Sequence, residues 1–105
     1  MARRLNPRLT LEAVANYFFI SVEELKGPGR KIHITDARRM AMWVLHKEGG
    51  WGSPSVGYFL DKDHSSVISA CQKMAEMMEN DPSLRHDIDE IVTGVTDAMA
   101  QEKAA

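Results

Sequence analysis

Asp63, His64 and Ser65 set a carboxylate, an imidazole and a hydroxyl side by side, the three groups of a hydrolytic triad. They cannot serve as one. Successive residues at a helix start do not face one another, whereas a triad needs each group within hydrogen-bond reach of the next. With Ser66 following, they instead open a helix with a cluster of short polar side chains. Taking about 100° per residue, Lys62, Ser65, Ser66, Ser69 and Lys73 share one side of that helix, while Val67, Ala70, Cys71, Met74 and Met78 fall nearly opposite. Short polar side chains let a helix approach bases closely while its lysines meet phosphates. No enzyme is expected. The histidines His33, His46, His64 and His86 lack metal-ligand spacing, and Cys71 lies on the apolar side as a core thiol, so no metal and no cofactor are expected.

The elements that must position these groups are legible from periodicity and punctuation. Thr10 can cap a first helix with Leu11, Val14, Ala15 and Phe18 at helical spacing, and Ser21 with Glu24 forms a capping-box pair over Val22 to Leu25. Lys26-Gly27-Pro28-Gly29 stops that helix and opens a basic loop with Arg30, Lys31 and His33. Thr35 or Asp36 caps a third helix whose Ala37, Met40, Ala41, Val44 and Leu45 form a broad apolar face. Gly49-Gly50-Trp51-Gly52 ends it, and Ser53-Pro54 starts a short helix through Leu60. Asp61 and Lys62 make a tight turn before Asp63, an aspartate being a preferred N-cap. Asn80-Asp81-Pro82-Ser83 breaks the next helix, and Leu84, Ile88, Ile91, Val95 and Met99 mark the stripe of a last, acidic one. No strand alternation or repeat appears. The expected class is all-α, about six helices, with Pro54 to Leu60, a turn and the helix from Asp63 as a helix-turn-helix.

At 105 residues the chain is expected to be one domain. It has no apolar run of the roughly 18 residues that mark a membrane span, no signal-peptide pattern, and one cysteine, so a cytoplasmic protein with no membrane partner is expected. The net charge of -2 conceals an asymmetry: residues 1–47 carry nine Lys/Arg against four acids, and the remainder four against eleven. Such a division implies one face for an anionic partner and another for solvent.

Asp63-His64-Ser65-Ser66-Val67 with Ala70-Cys71-Gln72-Lys73 resembles the signature of the C-terminal DNA-binding domain of DnaA, the bacterial replication initiator. Val14 to Leu25 resembles that family's first helices and Arg38-Arg39-Met40-Ala41-Met42 its third, so the resemblance spans about Leu11 to Met78. It implies a DnaA C-terminal-like (Trp repressor-like) fold that binds double-stranded DNA. The family's minor-groove arginine falls on Arg30, its phosphate contacts on Lys31, Arg38 and Arg39, and its major-groove set on Asp63, His64, Ser65 and Ser66. Four departures stand out: serines at 65 and 66 for threonines, a shorter turn before Asp63 without its usual glycines, Asp36 for an arginine, and Phe19 for a glycine. If Phe19 keeps φ > 0, the backbone costs about 1 kcal/mol or more.

No Gly-rich Lys-Ser/Thr phosphate loop occurs, so the family's ATPase is not expected, and the resemblance implies a standalone reader of DnaA-box-like duplex in replication initiation or transcription regulation. The expected division is a basic arm over residues 1–9, the DNA-binding domain over 10–79, and an acidic helix and tail over 80–105. The last stripe has two readings, packing on the same core or the seam of a homodimer. A rival to DNA binding is a protein-interaction adaptor that keeps the fold and meets a replication or transcription partner through its acidic C-terminal half.

Overall fold

In the computed structural model, which describes residues 4–104, the first helix is set by Asn6 and Pro7 rather than by Thr10. The Asn6 side chain accepts from the Leu9 amide at 3.0 Å, Pro7 occupies the first turn where a missing N–H costs nothing, and α1 runs Pro7–Phe18. Thr10 is instead fully buried and donates its hydroxyl to the Asn6 carbonyl at 2.8 Å. The expected arm is thus partly helix, with Leu5 buried and the Trp51 indole donating to its carbonyl at 2.7 Å. The arm's first three residues, Arg3 among them, lie outside the described residues.

The capping box forms as expected over α2, Val22–Lys26. The third helix, α3, starts at Ile32, three residues before Thr35, and runs to Trp43. Asp36 caps nothing; it pairs with Arg39 at 3.1 Å. What holds the early start is packing and a side-chain tie: Ile34 is buried, and the His33 imidazole donates through Nε2 to the Phe18 carbonyl. A π-helical turn, Val44–Glu48, continues α3 before Gly49. Then come α4 (Ser53–Leu60), α5 (His64–Asn80) and α6 (Ser83–Ala104). The described residues are helical with no strand, as the periodicity indicates.

The core sits around α3. Ala37, Met40, Ala41, Val44 and Leu45 are buried against Val14 of α1, Val56 and Leu60 of α4, and Val67, Cys71 and Met74 of α5. Burial pushes the Cys71 thiol above its ordinary range, so it stays protonated and inert. Ile88, Ile91 and Val95 are buried in the same cluster, with Leu84, Val92 and Met99 packed against it. The stripe of α6 therefore packs on the protein's own core. No helix among the described residues is long and apolar enough to cross a membrane.

Polar ties reinforce the α1–α6 contact. The Tyr17 hydroxyl donates to Asp87 at 2.7 Å, and that hydrogen bond, with lesser burial and charge effects, raises the phenol from 10.0 to about 12. A pKa raised in the fold means that stability is fully present below pH 10 and is lost as pH climbs through the folded value. Tyr17→Phe is expected to remove that part of the alkaline transition: between about pH 10 and 12 its melting temperature should fall less than that of the parent. Equal slopes in the two proteins would show that the tie adds nothing.

Phe19 ends α1 at φ 59°, ψ 43°, the left-handed conformation that favours glycine. Its amide and that of Ile20 satisfy the last carbonyls of the helix, so the strain of about 1–2 kcal/mol is offset locally. The ring is 93% exposed, and nothing in the structure explains its presence.

Candidate nucleic-acid interface

A reading helix must be held at a fixed angle on the core, and here one glycine sets that angle. Gly57, inside α4, lies so near the turn that a Cβ on it would sit 2.6 Å from the Lys62 carbonyl oxygen. The Lys62 amide donates back to the Gly57 carbonyl at 2.8 Å. Asp61 makes the reversal at φ 56°, a left-handed position that aspartate tolerates better than most residues. The short turn thus dispenses with glycines at its tip by placing one beneath it. Periodicity does not single out Gly57, although an isolated glycine within a helical pattern is itself a packing signal.

Asp63 then occupies the N-cap position of α5, yet its carboxylate caps no amide; it lies 3.2 Å from Nδ1 of His64. Both side chains are exposed, at 72% and 60%, so His64 does not rest on the preceding helix. Ser65, Ser66, Ser69 and Lys73 are exposed on the face the periodicity assigns, and Val67, Cys71 and Met74 are buried behind them. Asp63, His64, Ser65 and Ser66 therefore stand exposed together at the start of α5.

Across from that face runs a surface cleft lined by Arg30, Thr35, Arg38, Arg39, Lys62, Ser65, Ser66 and Ser69, with Pro28, Met42 and Ala70. Seven of the eleven residues expected to touch DNA meet there. Lys31, Asp63, His64 and Lys73 lie outside its lining, Lys31 at the N-cap of α3 and Asp63 and His64 at the α5 start. Thr35 has the pattern of a cap in the sequence, which conceals its part in the cleft; its place inside the first turn of α3 turns it to that surface.

The cations divide into two kinds. Arg30, Lys31 and Lys73 are exposed and have no partner among the described residues. Arg38, Arg39 and Lys62 are engaged internally. Arg38 donates from Nε to the Leu25 carbonyl at 2.8 Å, from Nη1 to Gly29 at 3.0 Å, and from Nη2 to Glu24 at 3.0 Å and Gly27 at 2.9 Å. Lys62 Nζ donates to the carbonyls of Lys26 at 2.8 Å and Gly27 at 2.9 Å. These oxygens are the orphan acceptors at the end of α2 and in the loop after it, where cations are favoured by the helix dipole. Burial lowers the pKa of both groups, and for Lys62 the Arg38 charge lowers it further against the opposing effect of Asp61. Arg39 pairs with Asp36 and lies against the Met77 sulfur, its side chain 19% exposed. The phosphate role expected of these three meets a structure in which most donors of Arg38 and Lys62 are already used, while Arg39 is engaged through Nη1.

A model of the family described as the bacterial dnaA protein helix-turn-helix matches residues 8–74. The chromosomal replication initiator protein DnaA of Thermomicrobium roseum is 37% identical over 86 residues, which is 81% of this chain and 18% of that protein. The corresponding protein of Crocosphaera subtropica is 31% identical over 87 residues (82% and 19%), and that of Levilactobacillus brevis 38% over 81 residues (76% and 18%). The chain thus spans less than a fifth of the length of these curated relatives.

Proposed function

The chain belongs to the helix-turn-helix family of bacterial DnaA proteins, and from that premise we propose that it binds double-stranded DNA sequence-selectively at DnaA-box-like sites, in replication initiation or transcription control. Residues 10–79 form the reading unit in this proposal, followed by the acidic helix and tail of residues 80–105, whose helix α6 packs on it. One observation carries the reading: Asp63, His64, Ser65 and Ser66 stand exposed at the start of α5, and a single cleft separates the serines from Arg30. That arrangement suits a duplex met in both grooves. The α5 start presents acceptors, hydroxyls and an imidazole to major-groove edges, while Arg30 enters the adjacent minor groove, whose potential attracts an arginine. Lys31 and Lys73 meet the phosphates on either side. Serines keep the hydroxyls of the family's threonines and lack the methyls that touch thymine, so the preferred sequence shifts while the docking is kept.

Titrating a labelled DnaA-box duplex and a scrambled duplex at several salt concentrations tests this directly. Tighter binding to the box, weakening as salt rises, is expected. No binding to either duplex below about 10 µM at low salt would sink the proposal and favour the adaptor, because even non-specific binding falls in about the 10⁻⁴ to 10⁻⁶ M range at physiological salt and tightens below it. Two variants separate the roles. Ser66→Ala should narrow the gap between box and scrambled duplex by about 1 kcal/mol, whereas Lys73→Ala should weaken both alike. Uniform loss in both variants would remove Ser66 from the base-reading set.

A further inference from the structure

The Gly27 carbonyl accepts two cations at once, the Arg38 guanidinium of α3 at 2.9 Å and the Lys62 ammonium of the turn before α5 at 2.9 Å. We propose that Arg38 and Lys62 are positioning residues, a carbonyl clamp that ties the loop bearing Arg30 to the turn bearing Asp63 and so fixes the spacing of the two DNA-contacting elements. The inference rests on the two-groove reading above and alters what these two cations do within it.

The geometry argues for a clamp over a pair of phosphate contacts. Arg38 spends its donors on four carbonyls spread from Glu24 to Gly29, which pins both ends of the segment leaving α2. Lys62 reaches across 35 residues of sequence to the middle of the same segment. Its next residue is Asp63, and Arg30 follows Gly27 by three, a path of at most about 11 Å of extended chain. The segment Gly27-Pro28-Gly29 has no apolar anchor of its own and would otherwise be free to swing. The Arg30 contact would then lose the ordering that makes it productive, and affinity would carry the cost of restoring it.

Lys62→Met keeps the aliphatic stem and removes the donors, and two readouts judge it. In the free protein, ¹⁵N relaxation should show lower backbone order parameters for residues 26–30 and unchanged values through α5; Lys62→Arg, which keeps donors, should restore them. On the box duplex at fixed salt, Lys62→Met should weaken binding about tenfold, and should add little to the loss already caused by Arg30→Ala, because the loop needs ordering only to make the Arg30 contact. Its salt dependence should match the parent. Unchanged loop order, or losses that add in full, overturns the clamp. If the parent chain binds no duplex, the functional reading fails on that result alone, and the loop order in Lys62→Met still decides whether the clamp exists.

Discussion

Gly57→Ala is expected to destabilise the fold by about 2–3 kcal/mol, although the same exchange inside an exposed helix normally stabilises by about 1 kcal/mol. The added methyl would meet the Lys62 carbonyl oxygen at 2.6 Å, and the Asp63 carbonyl carbon and His64 nitrogen at 3.3 Å. All three are backbone atoms, so no rotamer change relieves the clash. The turn must move off α4, stretching the bond from the Lys62 amide to the Gly57 carbonyl, and the start of α5 moves with it. Gly94 on α6 supplies the control, since a Cβ there meets nothing within 4 Å. Urea unfolding of both variants should give shifts of opposite sign. Gly57→Ala should also lose duplex affinity at temperatures where it remains folded, because the displaced residues are those proposed to face the bases; equal and favourable shifts at the two glycines would show that the turn has room to spare.

That glycine illustrates which parts of the molecule its sequence exposes. The all-helical class, the capping box at Ser21 and Glu24, the central α3 face and the two sides of α5 all follow from local rules, and the structure bears them out. Helix starts are less readable where a stronger signal lies nearby: Asn6-Pro7 outcompetes Thr10, and α3 begins at Ile32 because Ile34 and His33 are held by distant parts of the chain. Phe19 does keep φ > 0, since the helix end imposes it whatever residue stands there. The exposed side chains of the α5 face are accessible to pattern because a solvated helix face is a local property. The fates of Arg38 and Lys62 are not, because their partners over residues 24–29 are backbone carbonyls 9 to 36 residues away, and a carbonyl carries no mark in sequence. The C-terminal stripe has two readings for the same reason: its period shows that it is covered without showing by what, and the core of this chain covers it.

The salt dependence of binding turns that difference into a number. Counting cations in the sequence gives six candidates for phosphate or groove contacts: Arg30, Lys31, Arg38, Arg39, Lys62 and Lys73. Each neutralised phosphate contributes about -0.9 to the slope of log affinity against log salt, so six would give about -5.4 and an affinity loss of about 1,800-fold between roughly 50 and 200 mM salt. Among the described residues Arg30, Lys31 and Lys73 have no partner, and the others are engaged with carbonyls or with Asp36. The expected slope is then about -2.7, and the loss over the same interval about 40-fold. Lys73→Ala should bring the slope to about -1.8, whereas Lys62→Met should leave it in place. A parent slope steeper than about -4 would mean that Arg38, Arg39 and Lys62 release their internal partners to meet DNA. The clamp would then be a feature of the free protein alone, and the spacing of its two reading elements would be set by the duplex instead of by the fold.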